Sequence, residues 1–236
     1  MIDVEEAGMR KEQIGTSTLF LCDCMDLMAT LPDKSIELAI TDPPYFNGPQ
    51  KLGYYGAGIS KTGVNRPQYN TPGKWDVPTN DYYKELCRVS KNQIIWGINY
   101  YHFENVPVGR IVWDKKKNEF CAFSDGEIAS CSLIDTVIFF RYRWDGFLQE
   151  NMKNKQAKFH PTEKPISLYK WLLSRFAKQG DKILDTHFGS GSIAIACYDM
   201  GFSLVASEID EDYYNAAVNR LKQFAAQGTL DFSEAV

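Results

Sequence analysis

Apolar residues in this chain fall into short runs that alternate between two periods. Runs rich in β-branched and aromatic residues predict strands at Thr18–Cys22, Ile36–Thr41, Gln93–Ile98, Arg110–Trp113, Leu133–Arg141, Lys182–Asp185 and Ser203–Ser207. Between them, spacings of three and four predict helices at Met25–Leu31, Asp81–Val89, Ser167–Ala177, Ile193–Met200 and Glu211–Gln227. The last places Ala216, Ala217, Leu221 and Phe224 on one stripe. Alternation of strands and helices predicts an α/β sandwich around a largely parallel sheet. Phe46 to Pro78 breaks the pattern. It is rich in Gly, Asn, Pro and Tyr and predicts a long irregular loop, a length that is usually functional or disordered. Gln149 to Phe159 is a second polar, irregular stretch.

With 236 residues and 44% apolar content, the chain can bury one substantial core and is expected to form one domain. No apolar run reaches the length of a membrane span, and the N-terminus Met1-Ile2-Asp3-Val4-Glu5-Glu6 is acidic, unlike a signal peptide. A cytoplasmic protein is expected. The six cysteines form no Cys-x-x-Cys pair and several sit in apolar runs, which predicts buried reduced thiols. Cys22-x-Cys24 lacks a second ligand pair at zinc spacing, so no metal is expected.

The formal net charge of −4 argues against a protein that coats nucleic acid indiscriminately. Two local stretches differ. From Phe46 to Thr79, Lys51, Lys61, Arg66 and Lys74 face a single acid, Asp76. From Arg141 to Lys158, five basic residues (Arg141, Arg143, Lys153, Lys155, Lys158) face Asp145 and Glu150. Either stretch fits a groove that tracks phosphates, or an ordinary solvated surface.

Candidate chemistry begins at Asp42-Pro43-Pro44-Tyr45, directly after the Ile36–Thr41 run. The prolines fix φ, remove donors and keep the residues before them out of helical space. The result is a stiff loop with two acceptors, the Asp42 carboxylate and the Pro43 carbonyl, beside an aromatic face, Tyr45. Such a set suits a planar group bearing an exocyclic amine. Far along the chain, Lys182-Ile183-Leu184-Asp185-Thr186-His187-Phe188-Gly189-Ser190-Gly191-Ser192 reads as strand, glycine-rich turn and helix start. Glycines allow close backbone approach, and a helix start offers free N–H groups. No Lys-Ser/Thr follows, so a phosphate loop is disfavoured. Glu208 ends the next strand about twenty residues on, where an acid commonly receives ribose hydroxyls in dinucleotide-type folds. His160-Pro161-Thr162-Glu163-Lys164-Pro165 is a proline-bounded lead into a helix.

Together these segments resemble the DNA amino-methyltransferases, which methylate N6 of adenine or N4 of cytosine. Asp42 to Tyr45 looks like the catalytic motif. Asp185 to Ser192, with Glu208, looks like the S-adenosylmethionine site. His160 to Pro165 resembles the segment that closes over the methionine part of that cofactor. The catalytic loop precedes the cofactor loop, the order of the β class, and the likeness runs from about Leu19 to about Leu221. It implies a Rossmann-like class I methyltransferase fold, circularly permuted in motif order, with helices on both faces of a mostly parallel sheet. By resemblance, the catalytic residues are Asp42, Pro43, Pro44 and Tyr45. The cofactor residues are Asp23, Cys24, His160, Thr162, Lys164, Asp185, Phe188, Gly189, Ser190, Gly191, Ser192 and Glu208. Asp23 is equally readable as a helix N-cap.

DNA is the implied partner. The long loop is then a target-side lid, with Phe46, Lys51, Lys61 and Arg66 as substrate contacts. The stretch from 141 to 159 stands where this class carries target recognition, with Arg141 and Arg143 as contacts, although it is short. Asp rather than Ser before the prolines leans to adenine N6, with cytosine N4 as the alternative and an inactive nucleic-acid-binding subunit as the alternative of another class. Asn99 and Tyr100 are read as core packing in preference to a pocket border, and Lys115–Lys117 as a solvated run. No separate general base is evident. A homodimer and a restriction-enzyme partner are left open.

Overall fold

The structure, a computed structural model, describes residues 9–45, 58–59, 65–66, 76–117, 124–145, 148–153 and 163–228. In chain order the elements are β1 (Arg10–Ile14), β2 (Ser17–Leu21), α1 (Cys24–Thr30), β3 (Ile36–Thr41), β4 (Gly58–Ile59), β5 (Asn65–Arg66), α2 (Asn80–Val89) and β6 (Ser90–Trp96). A 3-10 turn (Ile98–Tyr100) follows, then β7 (Arg110–Asp114), β8 (Gly126–Cys131), β9 (Val137–Arg141), β10 (Trp144–Asp145) and β11 (Leu148–Gln149). The chain continues through α3 (Ile166–Phe176), β12 (Lys182–Asp185), α4 (Ser192–Met200), β13 (Ser203–Glu208) and α5 (Glu211–Gly228).

Nine strands make one sheet in the order β1-β2-β13-β12-β3-β6-β8-β7-β9. From β2 to β6 all neighbours are parallel. β1 and β8 run antiparallel to their partners, while β9 is parallel to β7. Successive residues of each central strand feed opposite faces, as the pleat requires. Leu38, Ile40, Ile94 and Ile183 join α3, α4 and α5 in one core; Ala39, Ile95 and Leu184 join α1 and α2 in the other. The expected α/β architecture with helices on both faces is therefore observed. No helix among the described residues is long and apolar enough to cross a membrane.

The strand expectations need four corrections. β1 was not foreseen, because Arg10, Lys11, Glu12 and Gln13 carry no apolar alternation; among the described residues it pairs with β2 alone, and it is largely exposed. β8 was also missed. The expected strand from Leu133 begins instead at Val137, since residues 132–136 turn out of the sheet. Ile98 leaves β6 through Gly97, whose φ of 71° ends the extended run.

The topology positions the site. β12 connects through α4 to β13 on one side, and β3 through α2 to β6 on the other, so the order switches between β12 and β3. In open α/β sheets ligands bind at the carboxyl ends of strands at such a switch. Tyr82 of α2 clamps this place from below: its hydroxyl meets Thr41 Oγ1 at 3.2 Å and Thr186 Oγ1 at 2.7 Å, holding the two strand ends to one another.

Candidate active site

Asp42 to Tyr45 leave the end of β3 and are met there by four other segments. The Asp42 carboxylate pairs with Lys164 Nζ through Oδ2 and accepts from the Tyr45 hydroxyl through Oδ1 at 2.7 Å. Lys164 also pairs with Glu127 Oε2 at 2.9 Å and donates to Tyr45 Oη at 3.1 Å. Its side chain is 2% exposed, so its three protons are committed to Asp42, Glu127 and Tyr45. Lys115 completes the cluster, with Nζ 2.6 Å from Glu127 Oε1. Tyr101 donates to the Pro43 carbonyl at 2.6 Å, which leaves that oxygen one lone pair for another donor.

Burial pushes the Asp42 carboxyl up from its ordinary value; Lys164 pulls against this and Glu127 adds to it. Glu127 is desolvated as well, but Lys164 and Lys115 outweigh burial and hold it down at about 2. Two carboxylates and two ammonium groups thus share one pocket.

The Tyr45 ring stacks on Tyr100 at a centroid distance of 4.9 Å and 16° between planes. Beside it Gly97 is closed to any side chain: a Cβ there would overlap the Tyr45 ring, and its φ is in the left-handed region. A cavity of about 140 Å³ opens between Tyr45, Gly97, Asn99, Tyr100, Ser124, Gly126, Glu127 and Ile128. That is on the scale of a cavity of roughly 150 Å³ that holds one aromatic ring. Tyr100 is 42% exposed and lines this space with Asn99, which corrects the core-packing expectation for both. They follow a positive-φ glycine that turns the chain out of the sheet. The solvated-run expectation for Lys115 is likewise corrected.

The second candidate region lies at the ends of β12 and β13. Gly189 (φ 51°) and Gly191 (φ 74°) shape the turn, and Gly191 opens α4. Glu208 Oε2 accepts from Gly189 N at 2.8 Å, and Oε1 accepts from the Ile209 and Asp210 amides at 3.0 Å each. Burial raises Glu208 against those three donors. Asp185 accepts from His187 N at 3.0 Å, and burial carries its carboxyl up to about 8. Among the described residues, neither carboxylate has a cation within ion-pair distance. Phe188 is buried in the turn, and Ser190 Oγ meets Ser192 Oγ at 3.1 Å. His187 is held neutral, because burial lowers it to about 4. Asp23 caps α1 by accepting from Met25 N at 2.7 Å, and Cys24 begins that helix.

Sequence inspection missed the bolt between the two halves. Glu163 is buried and pairs with Arg220 Nη2 of α5 at 2.9 Å; Arg220 Nη1 donates to Ser190 O at 2.8 Å and Ser192 Oγ at 3.1 Å. Trp144 Nε1 donates to the Glu163 carbonyl at 2.9 Å. The lead into α3 is therefore fastened to the glycine-rich turn by Glu163 and to the catalytic loop by Lys164. Glu127 was missed too. The available signal was a single acid beside apolar neighbours in Gly126-Glu127-Ile128-Ala129.

Other expected contacts lie elsewhere. Arg141 ends β9, 62% exposed, over the Phe139 ring and 3.6 Å from Asp114. Arg143 Nη2 donates to the Lys116 carbonyl at 3.0 Å, and the Asp145 side chain lies outside the described residues. Phe46, Lys51, Lys61, His160, Thr162 and the Arg66 side chain lie outside the described residues.

The proline-stiffened acceptor loop and the glycine-rich turn thus sit at the ends of adjoining parallel strands. Residues 60–219 match the model of the N6/N4 DNA methylase family, and the chain belongs to that family. It is 25% identical over 259 residues to the type II methyltransferase M.HinfI of Haemophilus influenzae, covering 91% of this chain and 71% of the relative. It is also 25% identical over 216 residues to the putative methylase YubD of Escherichia coli, covering 84% and 87%. Similar solved folds include the M1.HpyAVI–SAM complex (TM-score 0.54, 16% identity, 86% of this chain and 99% of that one). The putative DNA modification methylase TTHA0409 of Thermus thermophilus, complexed with S-adenosyl-L-methionine, gives 0.52 at 16% identity, covering 88% and 93%. The cytosine-N4-specific PvuII DNA methyltransferase gives 0.52 at 11%, covering 89% and 92%.

Proposed function

We propose that this protein transfers a methyl group from S-adenosylmethionine to N6 of an adenine in DNA. The observation that carries the acceptor is Asp42: a largely buried carboxylate beside a carbonyl with a lone pair to spare, hydrogen-bonded to the Tyr45 that lines a ring-sized cavity. Both N–H groups of an exocyclic amine find acceptors there, on Asp42 and Pro43. Those bonds draw the nitrogen toward tetrahedral geometry and localise its lone pair. Among amino-methyltransferases the cytosine enzymes usually carry Ser where this chain has Asp42, which favours adenine.

The residues at the glycine-rich turn suit the cofactor. Among the described residues Asp185 and Glu208 are acids with no cation within ion-pair distance, and S-adenosylmethionine is cationic and bears a ribose diol. When bound, it supplies a methyl group on a good leaving group, so the protein's share is positioning and electrostatics. The Tyr82 clamp keeps the two strand ends in fixed relation. A duplex hides the adenine amine, so the base must leave the stack, and Tyr45 with Tyr100 offers an aromatic border to receive it. Phe46, Lys51, Lys61 and Arg66 on the target side, and Arg141 at the end of β9, are the candidate DNA contacts.

Labelled-methyl transfer onto unmethylated DNA, followed by nucleoside analysis, tests this. N6-methyladenine is expected. N4-methylcytosine would reassign the base, and no transfer would make the chain a binding subunit.

A further inference from the structure

We propose that Glu127 is a positioning residue for this site: by sharing Lys164 with Asp42, it keeps Asp42 a strong acceptor for the target amine and its proton. This rests on the methyl-transfer reading of Asp42 given above. A buried ammonium in contact with one carboxylate pairs with it tightly and blunts it as an acceptor. Here Lys164 divides its protons, with Asp42 on one side, Glu127 at 2.9 Å on the other and Tyr45 Oη at 3.1 Å. Lys115, 2.6 Å from Glu127, in turn steadies Glu127. β7 and β8 thus reach across the sheet edge to set the charge that Asp42 feels.

The remaining groups around Asp42 do not replace this. Tyr45 donates to it at 2.7 Å, and Tyr101 sits on the neighbouring Pro43 carbonyl. From β12 and α3, Asp185 and Tyr169 are close enough to couple with it electrically, and neither brings a positive charge.

The chemistry needs such an acceptor. When the amine nitrogen bonds to the methyl carbon, the carbon–sulfur electron pair stays with sulfur and the nitrogen gains a positive charge. Asp42 then takes one N–H proton, leaving that bond's electrons on nitrogen and forming a carboxyl O–H. In this scheme Glu127 acts on Asp42 through Lys164, and its Oε2 also faces the Tyr45 hydroxyl at 3.2 Å.

Two variants move the same charge in opposite directions. Glu127→Gln leaves Lys164 to Asp42 alone, so kcat should fall roughly tenfold, a fraction of what a positioned proton acceptor supplies. The acid limb of its kcat–pH profile should move to lower pH, and KM for S-adenosylmethionine should hold. Lys115→Gln leaves Glu127 less neutralised, so its acid limb should move to higher pH. Carbon-13 NMR titration of the Asp42 carboxyl in the cofactor-free proteins should show the same opposed shifts, independent of activity. Limbs and carboxyl titrations that stay in place, or move the same way in both variants, would overturn the assignment of Glu127 alone. If the parent protein transfers no methyl group to DNA, the function reading fails and this role falls with it, whatever the NMR shows.

Discussion

Asp185 and Glu127 are both acids desolvated at the same end of one sheet, yet their pKa values are displaced in opposite directions. Asp185 is carried up to about 8 by burial, with a backbone amide as its hydrogen-bond donor. Glu127 is desolvated too and is nevertheless held at about 2, because two lysines touch it. The difference lies in what each region has been completed with. The β3–β8 side carries its own cations and is electrically closed. Among the described residues the β12–β13 side presents acids with no cation within ion-pair distance, a place that a positively charged molecule would complete.

The largest expected effect comes from the closed side. Asp42→Ala should lower methyl transfer by on the order of 10²–10³ or more, the scale of losing a positioned electrostatic group. S-adenosylmethionine affinity by calorimetry should change little. Near-normal transfer by this variant would erase the distinction between the two regions.

On the open side, Glu208→Ala should weaken cofactor binding by about 1.5–3 kcal/mol, the range for hydrogen bonds to charged partners. It removes the acceptor of three amides as well, so circular dichroism must accompany the titration. Unchanged affinity with an intact fold would move the cofactor elsewhere.

Asp185→Asn gives a subtler test, through pH. Because the folded protein raises the Asp185 pKa, this group's contribution to stability is complete below its ordinary value near 4 and is lost as pH rises through about 8. Asn carries no such loss. The gap in Tm between variant and parent should therefore open between pH 4 and 8 and then level, at roughly 2–4 °C per kcal/mol. A pH-independent gap would mean that Asp185 is paired after all.

The smallest effect concerns the rim. Arg141→Gln should flatten the slope of log DNA affinity against log salt by roughly 0.9 if one duplex phosphate contact is lost. Arg143→Gln should leave the slope alone, since its guanidinium is already spent on the Lys116 carbonyl. Equal slopes for all three proteins would make Arg141 ordinary surface.

The central strands were legible because the middle of β3, the end of β6 and the middles of β12 and β13 are buried on both faces and read as short apolar runs. β1 hid behind charged residues that are free to be charged at a sheet margin. β8 hid because Gly126, Glu127 and Ser130 interrupt its apolar pattern, Glu127 facing Lys164. The motif residues of the candidate site were legible in the same way, as local spacing. Lys164 was placed with the cofactor by its motif, and only the fold brings its ammonium to Asp42. Arg220 and Glu127 belong to no local pattern. Their roles come from tertiary contacts between segments distant in sequence, which single-chain spacing does not record.

The fit of Gly97 against Tyr45 has a further consequence for how this molecule can change over generations. While the ring occupies its place, no other amino acid can be accepted at position 97. A smaller residue at position 45 is therefore the precondition for any innovation there. Position 97 is closed until position 45 has changed, so the two positions are coupled in that order although they follow different strands.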